Sequence, residues 1–122
     1  MENNILTEQE ILLLRKKLDL LLRTGKLLME SAADTNRIER NMKRVAAFMG
    51  IPENKLHIDI RWTMIMVNVS DECHSFSKFQ KCEKHGINMT TISQISKLSW
   101  RAIEEDYSLD KYEEELTKIA EQ

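Results

Sequence analysis

The stretch Leu56-His-Ile-Asp-Ile-Arg-Trp-Thr-Met-Ile-Met-Val-Asn-Val69 decides the fold class. Its first half alternates: Leu56, Ile58, Ile60 and Trp62 against His57, Asp59 and Arg61. Side chains on a strand point to opposite faces in turn, so this is the pattern of a strand with one buried face, and it assigns Trp62 to the core. Its second half, Met64 to Val69, is nearly all apolar, which predicts a central strand covered on both faces. Ser70 to Cys73 is polar and turn-like. Ser75 to Cys82 reads as a weaker third strand, because Phe76 and Phe79 break the alternation; a bulge or an edge position would explain them.

Helical signals flank this β region on both sides. Upstream, Thr7-x-x-Glu10 is a capping box with Leu6 and Ile11 at the staple positions, and a helix from there to about Glu30 would be about 36 Å long. Its core stripe is Ile11, Leu14, Leu18, Leu21, Leu22, Gly25, Leu28 and Met29. A second stripe, Leu6, Leu13, Leu20 and Leu27, recurs every seven residues on the far side. It implies either a covering helix from the same chain or a second chain, with Leu13, Leu20 and Leu27 as interface candidates. A second helix starts between Ser31 and Thr35, with Ser31-x-x-Asp34 as a capping-box-like pattern, and carries Ile38, Met42, Val45 and Met49. Gly50 follows as a left-handed cap, with Pro52 beyond it.

Downstream, His85-Gly86 ends the sheet and Asn88 or Thr90 caps a third helix. Its stripe is Ile92, Ile95, Ser99, Ala102 and Ile103, with Leu98 at the margin. Trp100 points away from that stripe and is a further interface candidate. Ser108 caps a last helix whose face is Leu109, Tyr112, Leu116 and Ile119. The order is ααβββαα, an α+β fold with a three-stranded antiparallel sheet packed against helices.

The 122 residues suit one domain with one core. Three Gly and one Pro leave little material for long loops. The net charge of −2 does not fit a nucleic-acid binder, which carries a basic excess. Charge is nevertheless uneven. Residues 104–122 hold eight acids against two lysines, and residues 75–101 hold five cations against Glu83. Two solvated faces account for this, and an anionic membrane surface would repel the acidic helix. Cys73 and Cys82 would lie about 30 Å apart along a strand, too far for a disulfide, so both read as free thiols. No apolar run reaches the length of a membrane span, and the N-terminus shows no signal-peptide pattern.

Most of the chemistry crowds between the first two helices, in Glu30-Ser-Ala-Ala-Asp-Thr-Asn-Arg-Ile-Glu-Arg40. A helix start offers unpartnered N–H groups. Glu30 and Asp34 could meet an ammonium there and Arg37 a carboxylate, with Thr35 and Glu39 beside them. The competing reading is plain: Asp34 caps, Arg37 pairs with an acid, and the group fixes the angle between two helices. Cys73-His74 and Cys82-x-x-His85 have zinc-ligand types without zinc-site spacing, so no metal or cofactor is expected. A hydrolase using Thr35 or Thr63 with Asp34 or Glu39 as base lacks any activated-nucleophile motif.

This segment resembles the threonine/serine exporter family, in the part that precedes its membrane helices. The matching residues are Ala32-Ala33-Asp34-Thr35-Asn36-Arg37-Ile38-Glu39, after a leucine-rich helix ending Leu27-Leu28-Met29-Glu30-Ser31. Ile58 to Val69, with Thr63 at a turn, fits the family's strand pair. Gly86-Ile87-Asn88-Met89 fits its Gly-Ile-Asn-Leu and helix. Two departures stand out: the family often has Gly at Ala32, and Pro-Thr-Gly where this chain has Trp62-Thr63-Met64.

The resemblance implies a cytoplasmic domain at the inner face of the plasma membrane that regulates, gates or assembles an exporter rather than forming its pore, and is not an enzyme. Its partners would be the exporter's transmembrane part, a second copy of the chain, and threonine or serine; nucleic acid is not among them. Glu30, Asp34, Thr35, Arg37, Glu39, Thr63 and Asn88 become the candidate binding residues. The alternative is a helical oligomerisation or interaction module.

Overall fold

The computed structural model describes residues 7–71, 73–83 and 86–122. Four helices and three strands follow in the expected order: α1 Glu8–Glu30, α2 Thr35–Phe48, β1 Leu56–Arg61, β2 Met64–Ser70, β3 Ser75–Lys81, α3 Met89–Glu104 and α4 Leu109–Ala120. A 3-10 turn, Glu53–Lys55, leads into β1. The strands form an antiparallel sheet in the order β1-β2-β3.

Local chemistry sets most boundaries. The Thr7 hydroxyl accepts the Glu10 N–H and the Glu10 carboxylate accepts the Thr7 N–H, closing the capping box. Asn88 and Ser108 cap α3 and α4 through the N–H groups of Thr91 and Lys111. Gly50 stands just past α2 with φ +81°. The second helix begins later than Ser31. Asp34 is its cap, accepting the Arg37 N–H at 2.8 Å, while Ser31 closes α1. Leu6 lies outside the described residues.

The sheet corrects the reading of the β region at β2 and at Trp62, and of the two alternatives for β3 it bears out the edge position. Ile65 and Val67 on β2 are fully buried under the helices. Met64 and Met66 point to the other face, beside Phe79 of β3, which is 67% exposed. β2 is therefore central but covered on one face only. β3 pairs with β2 without interruption from Ser75 to Lys81, so it is an edge strand with no bulge. Phe76 and Phe79 are three positions apart, an odd offset that sends one ring inward and the other outward. Trp62 is not core; β1 ends at Arg61, and Trp62 stands in the β1–β2 turn, 77% exposed.

The middle of α1 is wrapped on several sides, because it touches α2, α3, α4, β2 and β3. Leu20 is therefore core at 2% exposure and cannot serve an external interface. Leu27 is half-buried against the core, whereas Leu13 is exposed. The covering element is α4, tied to α1 by Lys16–Asp110 at 2.7 Å and by a hydrogen bond from Arg23 to the Thr117 hydroxyl. On α3, Leu98 is fully buried and Ile103 is exposed. One residue is about 100° of helix, enough to carry Ile103 past the stripe that ends at Ala102.

Candidate functional site

The α1–α2 corner is built from backbone first. The Ala33 N–H reaches the Leu28 carbonyl at 2.9 Å, and the Ala32 N–H reaches Met29 at 3.0 Å. This is a Schellman closure, which requires a left-handed residue at its centre, and Ala32 supplies it with φ +66°. The same closure follows α2, where Ile51 and Gly50 bond back to Ala46 and Ala47 and the left-handed residue is glycine. An alanine Cβ is strained in that conformation. Ala32→Gly is expected to raise stability by about 0.5–1 kcal/mol in chemical denaturation. A loss of stability would show that the Ala32 methyl packs usefully.

From this corner the candidate residues diverge. The Glu30 carboxylate accepts the Glu83 N–H at 2.8 Å, and the Ser31 carbonyl accepts the Asn88 N–H at 3.0 Å, which fasten the corner to the β3–α3 connection. Glu30, Ser31 and Asn88 border an open cleft of about 420 Å³ with Gln122 at the end of the chain. Asp34 and Thr35 border a different cleft, of about 470 Å³, with Arg61 and Trp62. Glu39 lies about 140° around the helix from Asp34. It pairs with Lys43 at 3.4 Å, which also reaches Glu53. Thr63 is exposed in its turn, and its carbonyl accepts the Cys82 N–H.

Arg37 differs from the rest. Its backbone is committed, since its N–H bonds Asp34 and its carbonyl accepts from Asn41. Arg37 is half-buried as a residue, and its guanidinium forms no ion pair among the described residues. Loss of the cap in Asp34→Ala should cost about 1 kcal/mol, whereas Arg37→Ala should stay within about 0.5 kcal/mol. Thermal or urea unfolding separates the two, and equal losses would give Arg37 a structural role.

No group of three potential metal ligands occurs among the described residues, and His85 lies outside them. Cys73 and Cys82 are free thiols; burial pushes that of Cys82 up. Neither Thr35 nor Thr63 offers its hydroxyl to a carboxylate among the described residues. The alternation of β1 points Trp62 inward and so hides Arg61 and Trp62 as neighbours of Asp34. No local pattern announces the clasp between α2 and α3. There the Arg44 guanidinium donates to Asn41 and Ser99, at 3.1 and 2.9 Å, and lies 4.1 Å from the centroid of the Trp100 ring. Trp100 is half-exposed at 52% and so remains an interface candidate.

A family described as "Putative threonine/serine exporter" matches residues 19–122. No curated protein and no solved structure matches the chain. The match takes in the corner, the sheet and both C-terminal helices, well over half of the sequence. The chain belongs to the threonine/serine exporter family.

Proposed function

We propose that this chain is a cytoplasmic domain that regulates, gates or assembles the membrane part of a threonine/serine exporter. The family match over residues 19–122 is the observation that carries the reading. It points to transport rather than to an enzyme. No helix among the described residues is long and apolar enough to cross a membrane, so transport through a bilayer needs another segment or another chain. The corner favours a positioning role over substrate capture. Asp34 and Glu30 already accept backbone N–H groups, and they border separate open clefts.

The experiment is affinity copurification from detergent-solubilised membranes, paired with calorimetry of this chain against threonine and serine. Copurification with the exporter's membrane part, without heat from either amino acid, is the expected result. Heat with either amino acid would replace positioning by substrate binding. Failure to copurify would overturn the assembly role.

An interaction module built on α1 is the second reading. Leu12 and Leu13, 63% and 46% exposed, favour it. Leu20 no longer belongs to that face. Replacing Leu12 and Leu13 by lysine should leave a folded monomer if these residues hold two copies together. An unchanged oligomeric state would remove the idea.

A further inference from the structure

The outer face shared by α2 and α3 carries positive charge that the fold leaves uncompensated. Arg37, Arg40 and Arg44 stand at i, i+3 and i+7 and fall within about 60° of one another around α2. None of the three forms an ion pair among the described residues. α3 runs beside α2 in the same direction, since the Asn88 N–H meets the Ser31 carbonyl at one end and Arg44 donates to Ser99 further along. Arg44 also lies over the Trp100 ring, which places Trp100 on the arginine side of α3. Met89 returns to within about 20° of Trp100 around the helix, and Lys97 lies within about 60° of it. Met89, Lys97 and Trp100 are all exposed, and Lys97 too forms no ion pair among the described residues.

The acids of the molecule are placed elsewhere. Glu39 sits on the other flank of α2, paired with Lys43. The acidic helix α4 lies along a different side of α3, where Glu115 reaches Arg101 at 3.7 Å, about 100° of helix from Trp100. Its carboxylates are met by Lys16 and Arg23 of α1 and by Lys111 and Lys118 of α4 itself. Glu104, Glu105 and Asp106 close α3 and mark where the basic face ends. On that face, burial and the nearby charge of Arg40 hold the Arg44 guanidinium below its ordinary pKa. The four cations are spread along two helices rather than gathered on one point, which suits an extended anionic surface and not a single small ligand. Exposed Trp among arginines is the composition of a helix face that lies in a lipid headgroup layer. We propose that this face docks on an anionic phospholipid surface, with Arg37, Arg40, Arg44 and Lys97 on the phosphates and Met89 and Trp100 sunk between the headgroups. Docked this way, the molecule holds α4 off the surface that would repel it.

The proposal is independent of the exporter reading, because its test uses vesicles that hold no protein. The chain is floated with vesicles of equal parts phosphatidylglycerol and phosphatidylcholine, and with vesicles of phosphatidylcholine alone. Flotation with the anionic vesicles only, weakening as salt is raised, is the expected result. Each cation at such a surface strengthens binding about fivefold, so Arg40→Gln/Lys97→Gln should weaken it about twentyfold while keeping the wild-type circular dichroism spectrum. Both positions are exposed, and the single variants give the same reading at about fivefold each. In Trp62→Phe, Trp100 is the remaining tryptophan, and its fluorescence should shift to the blue on anionic vesicles. Polyglutamate is the competitor that stands for an acidic protein segment. Absence of flotation, equal flotation with neutral vesicles, unchanged binding in the Arg40 and Lys97 variants, or an unshifted Trp100 would overturn the proposal. Binding of polyglutamate without binding of anionic vesicles would overturn it in favour of an acidic protein partner.

Discussion

Replacing Tyr112 by alanine should cost about 3–5 kcal/mol of folding stability, and replacing it by phenylalanine about 1–2 kcal/mol. Tyr112 is fully buried on α4, and its ring packs on Phe48 with centroids 5.4 Å apart. Its hydroxyl lies 2.6 Å from that of Thr24 in the buried middle of α1. Thr24 donates its own proton to the Leu20 carbonyl at 2.9 Å, so Tyr112 is the donor of the pair. Burial pushes the phenol far above its ordinary pKa and keeps it protonated for that role.

Phenylalanine keeps the ring and leaves the Thr24 oxygen short of one donor. Alanine also opens a cavity. Thr24→Val should cost at least as much as Tyr112→Phe, because it strands a buried phenol proton. Urea unfolding monitored by circular dichroism ranks the three variants. Phenylalanine falling level with alanine would mean that the hydrogen bond, rather than the ring, holds α4 to α1.

Gly25→Leu should be still more disruptive per atom added, costing about 3 kcal/mol or more. A Cβ at Gly25 would lie 2.7 Å from the Met42 sulfur and 2.9 Å from Ile65 Cδ1, where α1 meets both α2 and the sheet. Alanine in mid-helix ordinarily gains about 1 kcal/mol over glycine. Here that gain is offset, since Met42 and Ile65 must both withdraw. These atoms are side-chain ends, so Gly25→Ala should be near neutral, whereas leucine has nowhere to go. Thermal unfolding of the two variants decides it. A tolerated leucine would mean that the three elements do not pack as closely as these distances require.

These two sites show what was readable in the chain. Gly25, Leu21 and Leu28 fall on one helical stripe, so their burial follows from periodicity alone. Thr7, Asn88, Ser108 and Gly50 cap by chemistry confined to a few neighbouring residues, and each stands where its type predicts. The stripe through Leu20 fits a covering helix of the same chain or a second chain equally well, and the choice depends on α4 returning along α1, a contact 94 residues apart in sequence that no local pattern carries. Trp62 continues the alternation of β1, yet the strand ends one residue earlier and the tight turn places it outside.

The corner was legible as a motif but not as a geometry. Nothing in the identity of Ala32 announces a left-handed backbone. The separation of Glu30 from Asp34 depends on where the β3–α3 connection passes, through Glu83 and Asn88. Arg37 emerges as the best functional probe because it combines a motif position with a guanidinium that the described fold does not use.

Threonine efflux from preloaded cells therefore tests the export role most directly. It should be compared with this chain intact, removed, and carrying Arg37→Ala. Removal should lower efflux, and Arg37→Ala should lower it by at least about tenfold while shifting stability by no more than about 0.5 kcal/mol. Equal efflux in all three cases would contradict a role for this chain in threonine/serine export.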